Sequence, residues 1–368
     1  MEQPSVTVII PVRNGMAVLP DCLAALRQQS YPSAKLEVIV IDDESTDDTA
    51  AMVQAEMDAW SKEGSSPRLR LIQKPWGGAG AARNRGVQEA EGDVVLFTDA
   101  DCEPTLNWVE EMMKPLADEE IQAVAGGYLT KQQSAVARLA QTEFEDRYRY
   151  VARHRFIDIA FTHSCAVRRQ AFLDTQGFDE RIPNNADDLE LSYRLAQHGH
   201  RIVFAPKGLV YHRHPATWGD YISKKIGRGY WRTLVFKRYP EKLVRDSYTP
   251  QTLKFQILLS ALAPSLSILA LSGVAWLGIA AVTAWLALFA STIPFVLRMN
   301  GSLSLKLLVD PATDAILGAT KQLHVVLEEA CIGCGACAEV CPTGGIDLEG
   351  IPVTLRNWRW HKPGVGHA

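Results

Sequence analysis

Residues 257–297 form a run of 41 positions without a charged side chain, broken only by Pro264, Ser272-Gly273 and Pro294. As one helix with a rise of ~1.5 Å per residue, this run would be about 60 Å long, twice the ~30 Å hydrocarbon core of a bilayer. One crossing cannot contain it and two can. The run therefore predicts a hairpin of transmembrane helices, 253–271 and 274–297, turning near Ser272-Gly273. A helix pair in the core of a soluble domain is the competing reading, but core helices seldom run so far without a polar face. Lys224, Lys225, Arg228, Arg232, Lys237, Arg238, Lys242 and Arg245 precede the run, and Arg298 and Lys306 follow it. Basic flanks on both sides predict that both ends face the cytoplasm, giving a multi-pass protein of the cytoplasmic (inner) membrane. Segment 216–252 interleaves those cations with Tyr221, Tyr230, Trp231, Phe236 and Tyr239. It reads as an amphipathic interfacial helix on anionic lipid, and beside a membrane hairpin lipid is a better partner than nucleic acid. Residues 298–327 carry Lys306, Asp310, Asp314 and Lys321, with Pro311 as a breaker. They predict an interfacial or linker helix and no third span.

Around this hairpin the 368 residues are enough for two or three pieces at a rough ~150 residues per domain. With 47% hydrophobic residues and a net charge of −4, the chain is neither disordered nor a general polyanion binder. Four of its seven cysteines fall within eleven positions, while Cys22, Cys102 and Cys165 are scattered. That is no disulfide framework, and it predicts a reducing cytosolic setting. The opening residues MEQPSVTVIIPV lack a basic region followed by an apolar stretch and a cleavage site, so no secretory signal is expected.

The N-terminal part alternates strands and helices. Residues 6–11, 37–41, 69–73 and 94–98 are short apolar runs. Between them lie a helix marked by Leu19, Cys22, Leu23 and Leu26, a second from Asp47 to about Trp60 and, after a Gly77-Gly78-Ala79-Gly80 turn, a third over 81–90. Such alternation implies an α/β fold with a mostly parallel sheet, which binds ligands at the C-terminal ends of its strands. The polar residues fall at those ends: Pro11-Val12-Arg13-Asn14, Asp42-Asp43-Glu44-Ser45 and Asp99-Ala100-Asp101. Polar residues such as Asp47 and Ser45 suit helix caps equally well. Asp99 and Asp101 are different, because adjacent carboxylates repel unless a cation stands between them, and hard oxygen donors suit Mg²⁺ or Mn²⁺.

The runs VTVIIPVRNG, VIVIDDESTDDT, GGAGAARNRG and GDVVLFTDADCEP resemble the family 2 glycosyltransferases, whose nucleotide-binding fold is called GT-A. The resemblance covers roughly residues 5–240. It implies an inverting sugar transfer from a nucleotide sugar to an acceptor hydroxyl or phosphate. Carried over by position, Pro11, Arg13, Asp43, Arg83 and Asp99 bind the nucleotide sugar, Asp43 at the base or ribose. Asp99 and Asp101 hold the divalent cation, with His212 of Tyr211-His212 as a third ligand. Ala186-Asp187-Asp188-Leu189-Glu190-Leu191 resembles the acidic acceptor-side motif, with Asp187 where Glu is usual, and Asp188 becomes the general base. Acids opening a helix also simply complement its dipole. His163 lies near the expected acceptor pocket with its role open. The processive Gln-x-x-Arg-Trp motif is absent, Gly229-Tyr230-Trp231-Arg232 standing nearby.

Cys331, Cys334, Cys337 and Cys341, the last followed by Pro342, look like one half of a bacterial-type ferredoxin and predict a [4Fe–4S] cluster. Zinc is the runner-up, although zinc sites usually pair two knuckles over a longer gap. With only one motif, Cys341 closes its own cluster or serves that of a second chain or redox partner; a cluster-free remnant is the third option.

The expected order is thus a GT-A domain over 1–215, the interfacial segment 216–252, the hairpin 253–297, a linker 298–327, the ferredoxin-type module 328–356 and a tail 357–368. The function expected is transfer of sugar to a lipid-linked or polysaccharide acceptor. The alternative is an electron-transfer membrane protein whose transferase-like domain only binds nucleotide.

Overall fold

Apolar β-branched segments separated by amphipathic helices build one eight-stranded mixed sheet. A computed structural model describes residues 3–64, 66–182, 186–244, 246–308, 316–317 and 325–326. The chain divides into two compact units, residues 1–254 and 255–368. In the first, β1 (Val6–Val12), α1 (Leu19–Arg27), β2 (Leu36–Asp43), α2 (Thr49–Glu63), β3 (Arg68–Lys74), α3 (Gly78–Glu89) and β4 (Val94–Phe97) alternate as the sequence implies. Then follow β5 (Cys102–Pro104), α4 (Trp108–Met113), β6 (Ile121–Leu129), α5 (Ala135–Val151), β7 (Cys165–Arg168), α6 (Arg169–Asp174), α7 (Asp187–Gln197), β8 (Arg201–His212), α8 (Trp218–Arg238) and α9 (Pro240–Val244). The spatial order is β3-β2-β1-β4-β7-β6-β8-β5. β1, β2, β3 and β4 are mutually parallel, whereas β7 runs antiparallel to both β4 and β6. β6 and β8 are parallel, and β5 pairs antiparallel with β8.

The central strands are dry: Val8, Ile9, Ile10, Val38, Ile39, Val40, Val95 and Leu96 are fully buried. Leu19, Cys22, Leu23 and Leu26 of α1 pack on this core, as their helical spacing requires. One expected turn differs. Gly78 to Gly80 form the first turn of α3, because the Asp43 carboxylate accepts the Gly77 and Gly78 N–H groups at 2.9 and 2.7 Å and caps the helix from the end of β2. A cap supplied by another strand leaves no local signature.

α8 is pinned twice to the helices of the β5–β8 half. Lys225 pairs with Glu143 of α5, and Arg238 reaches Glu190 of α7 at 3.1 Å, with the Tyr239 hydroxyl donating to the same carboxylate at 2.9 Å. Thr217 opens the helix as its N-cap, accepting the Asp220 N–H at 3.2 Å.

The second unit holds most of α10 (Gln251–Ala270) and all of α11 (Ala275–Leu308). Segments Gln251–Ala270 and Ala275–Leu297 are long and apolar enough to cross a membrane. They join through Gly273, whose φ of +82° suits glycine. Their seam uses Leu259 with Ala263 and Ala284, the two alanines being small enough to let backbones approach, while Leu258, Leu271, Trp276 and Phe289 remain exposed. α11 continues without a break to Leu308, so the start of segment 298–327 extends the second apolar helix where a separate linker helix was expected. Cys331, Cys334, Cys337 and Cys341, with the module and tail beyond 327, lie outside the described residues.

Candidate active site

Two strand ends meet where β5 turns back beside β8, with Cys102 paired directly to His212. The turn Asp99-Ala100-Asp101-Cys102 is closed by the Cys102 N–H donating to the Asp99 carbonyl at 3.0 Å. This places Asp101 Oδ2 3.6 Å from His212 Nδ1. Asp101, Cys102 and His212 present ligand atoms that all lie within 4.8 Å of one another. A carboxylate and an imidazole in this spacing fit a divalent cation. Burial works to raise the Asp101 carboxyl, but the His212 ring beside it holds it below its usual range, so it stays an anion. The Cys102 thiol is pushed well up by burial and by Asp99 and Asp101, which keeps it protonated and leaves the oxygen and nitrogen donors as the ligands.

Asp99 faces another way. Its carboxylate accepts from Arg83 Nη2 at 2.7 Å, and the same guanidinium donates through Nη1 to Asp187 at 3.0 Å. Arg83, buried on α3, thus joins the strand-end acid to the acids that open α7. Burial would lower its basicity, but Asp99 and Asp187 raise it above the usual value. Phe178 covers the guanidinium at 5.5 Å. Burial and the neighbouring Asp188 raise the Asp187 carboxyl, against the pull of Arg83, to about 6. Asp188 is raised as well, chiefly by burial, with Arg232 and the Leu189 N–H opposing. Its Oδ1 accepts that N–H at 2.7 Å. Two adjacent carboxyls poised above their ordinary range suit proton acceptance near neutral pH.

Asp43 is buried and fully engaged: besides the two glycine amides it accepts from Lys74 Nζ at 2.6 Å. Pro11 lies within β1 and Arg13 just beyond its end, where the Arg13 guanidinium sits 5.8 Å over the exposed Trp76 ring. The structure therefore groups Asp101 with His212, and Arg83 with Asp99, Asp187 and Asp188. Asp43, Arg13 and Trp76 form a separate wall.

Sequence reasoning missed the aromatic floor. Tyr128 is stacked between His163 at 3.4 Å and His212 at 4.4 Å, with Phe144 edge-on at 5.0 Å. Burial keeps His163 and His214 neutral, the latter pushed down to about 3, and His214 Nε2 meets Gln141 Oε1 at 2.8 Å. The available signal was Gly126-Gly127 ahead of Tyr128: a Cβ on Gly126 would lie 2.0 Å from the Gly208 carbonyl oxygen, so only glycine lets β6 approach β8 there. A groove of about 670 Å³ lined by Asn84, Asp179, Arg194 and Arg238 lies elsewhere; neither Asp101 nor Asp188 lines it.

Comparison with known proteins places the fold among relatives. Residues 7–175 match the model of glycosyl transferase family 2, and residues 324–347 that of the 4Fe-4S binding domain. A pre-mycofactocin glycosyltransferase of Mycobacterium tuberculosis is 29% identical over 244 residues, which is 64% of this chain and 48% of that protein. Glycosyltransferase AglE of Haloferax volcanii is 27% identical over 230 residues, 61% of this chain and 73% of that one. The chain thus spans about half the length of the first relative. Mannosyltransferase PcManGT of Pyrobaculum calidifontis, solved with GDP-Man and Mn²⁺, superposes with a TM-score of 0.54 at 25% identity, covering 83% of this chain and 81% of that one. Residues 94–299, more than half of the chain, match the model of glycosyl transferase family group 2, and the chain belongs to that family, with a GT-A-like sheet and a C-terminal 4Fe-4S motif.

Proposed function

We propose that the protein is a membrane-bound, metal-dependent, inverting glycosyltransferase acting on a nucleotide-diphosphate sugar and a lipid-linked or polysaccharide acceptor. The observation that carries this reading is Arg83, which bridges Asp99 on the donor side to Asp187 at the head of α7. It brings the two halves of a displacement reaction to one sheet edge. Asp101 and His212 would hold Mg²⁺ or Mn²⁺, which when bound would neutralise charge on a departing nucleoside diphosphate, while Asp99, expected from the sequence as a further ligand, is turned to Arg83. Asp43 fixes the Gly77-Gly78 loop beside the nucleoside, and Arg13 with Trp76 offers it a flat cationic wall. Asp188 takes the proton of the acceptor hydroxyl as that oxygen bonds to the anomeric carbon, and the diphosphate oxygen leaves with the bonding electrons. No electron is transferred in this step, so the iron–sulfur module is accessory: it senses redox state or docks a redox partner or second chain. An electron carrier that only bound nucleotide would have no use for the raised acids at Asp187 and Asp188.

The apolar hairpin and its basic flanks support anchoring in the inner membrane with the catalytic unit on the cytoplasmic side. Segment 216–252 would then lie at the lipid surface. The test of the catalytic assignment is Asp188→Asn, which keeps shape and removes the acceptor of the proton. Turnover should fall by roughly 10²–10⁴-fold while nucleotide-sugar binding persists. Parallel loss of binding and turnover would make Asp188 a structural helix cap instead.

A further inference from the structure

Asp101, Cys102 and His212 bring three different donor atoms together. β5 and β8 pair with Cys102 directly opposite His212, so both side chains leave the ladder on the same face. Cys102 Sγ lies 3.8 Å from Asp101 Oδ1 and 3.9 Å from His212 Nδ1, and Asp101 Oδ2 lies 3.6 Å from that same nitrogen. Tyr128, stacked on the imidazole at 4.4 Å, holds the ring in this orientation. Cys102 is wholly buried, whereas the Asp101 side chain is 38% exposed. The triad is therefore closed at its sulfur end and open at its carboxylate end.

These separations discriminate between classes of metal. Two donors bound at ~2.1 Å and at right angles, as around octahedral Mg²⁺, stand about 3.0 Å apart. Around tetrahedral Zn²⁺, with bonds of ~2.3 Å to sulfur and ~2.0–2.2 Å to nitrogen or oxygen, the donors stand about 3.4–3.6 Å apart. At 3.6 to 3.9 Å the triad is closer to the tetrahedral set than to the octahedral one. Three protein ligands and one open position are also the number at which zinc keeps room for an exchangeable ligand. A hard cation uses the oxygen and nitrogen and leaves the thiol aside; a soft one takes the sulfur as well.

We infer that Cys102 is a third ligand for thiophilic cations of the Zn²⁺ class, which occupy the Asp101–His212 centre as a four-coordinate site of nitrogen, oxygen and sulfur and exclude the hard cation that supports transfer. The thiol proton passes to solvent as the metal–sulfur bond forms. Binding of such a cation depends on the triad alone. Its inhibitory effect rests on Asp101 and His212 being the ligands of the cation used in transfer. Zinc gains a sulfur bond beyond the two donors that Mg²⁺ or Mn²⁺ would use, so it holds the centre more tightly than either.

The test uses the full-length protein purified without oxygen, with Co²⁺ as the spectroscopic probe of the zinc-type site and Mn²⁺ as the probe of the hard one. Titration with Co²⁺ should give a near-ultraviolet sulfur-to-metal band that Cys102→Ser lacks. Any cobalt held by the four C-terminal cysteines is common to both proteins and drops out of the difference between them. Zn²⁺ should displace Mn²⁺, followed by the paramagnetic resonance of the Mn²⁺ released. Cys102→Ser should need at least roughly tenfold more Zn²⁺ to do so, since even the outer partners of a metal ligand are worth that much. Its Mn²⁺ affinity should stay within about threefold, because a hard cation does not use the sulfur. Cys102→Ala, which brings no hydroxyl into the buried position, should behave as Cys102→Ser does. Parent and variants with the same sulfur band, or with the same Zn²⁺ requirement, overturn the proposal. Equal loss of Mn²⁺ and Zn²⁺ affinity in both variants also overturns it, making Cys102 a packing residue of β5. A parent that binds Co²⁺ through Cys102 and no Mn²⁺ at all would keep the zinc-type site, while overturning its inhibitory role together with the hard-metal reading of the transferase.

Discussion

The β1–β4 half of the sheet and the half built from β5 to β8 follow opposite rules. β1 to β4 run parallel to one another and each connection between them carries one α-helix, so all four strands end at the same edge. From β5 onward the pairing is largely antiparallel, and the partners are distant in sequence: Phe97 with Cys165, Ala123 with Val167, Cys102 with His212. The first half delivers ligand-binding groups by repetition. The second delivers them by long-range register, so a single cross-strand pair decides where His212 sits. Function at this edge depends on the second half meeting the first, and two groups join them: the Asp101–His212 pair and Arg83.

The largest effect is expected where the two halves share a ligand set. Asp101→Ala removes the carboxylate beside His212, and the loss of several kcal/mol of charge stabilisation corresponds to roughly 10³-fold or more in transfer rate. The rate is measured with saturating nucleotide sugar in the presence of Mn²⁺. Undiminished transfer by Asp101→Ala in EDTA would show that the halves meet without any metal requirement.

Arg83→Met tests the second junction. It leaves the buried Asp187 without its counter-ion, and breaking a buried pair by removing one partner costs about 3–5 kcal/mol of stability. Chemical denaturation with a matched Arg83→Lys variant sharpens the comparison. Lysine keeps the charge but cannot span Asp99 and Asp187 with two separate nitrogens, so it should recover only part of the loss. Two variants as stable as the parent would mean that the halves are held together by packing alone.

The same contrast explains what was legible in the sequence. Strands β1 to β4 and helix α1 could be read because burial on both faces demands unbroken apolar runs, and Leu19, Cys22, Leu23 and Leu26 keep helical spacing. The acids Asp43, Asp99 and Asp101 were visible because strand ends in such sheets collect ligands. Their contacts were not. Nothing local shows that Asp43 caps α3 or that Asp99 turns to Arg83, since each bond spans a gap that only the fold closes. Tyr128 and the inward stripe of α8 were hidden for another reason. Arg228 and Arg232 read as part of a lipid-facing charge run until Glu143 and Glu190 fix the helix's rotation and leave both half-buried. The iron–sulfur motif was legible as spacing alone, because Cys331, Cys334 and Cys337 stand close enough in sequence to be directed to one cluster.

The smallest expected effect concerns which force wins at Asp187. Burial and Asp188 push its carboxyl up to about 6, against the Arg83 guanidinium that favours the anion. An unfolded aspartate titrates near ~3.9, so between about pH 4 and 6 the folded protein holds more protons at this position than the unfolded chain. Stability from this group is therefore fully present below the unfolded value and is lost as pH rises through the folded one. At ~1.4 kcal/mol per unit the swing is at most about 3 kcal/mol. Asp187→Asn cannot titrate, so the stability of the parent relative to this variant should fall by up to that amount as pH rises from 4 to 7, measured by denaturant unfolding at each pH. Because Asp187 and Asp188 act on each other, the size of the fall reports the pair, while its direction reports whether burial or Arg83 wins. A gap that moves the opposite way would show that Arg83 outweighs burial and that the two halves of the site are joined by a permanent ion pair. A falling gap would instead mark Asp187 as a carboxyl that changes charge near neutral pH, one residue from the proposed base.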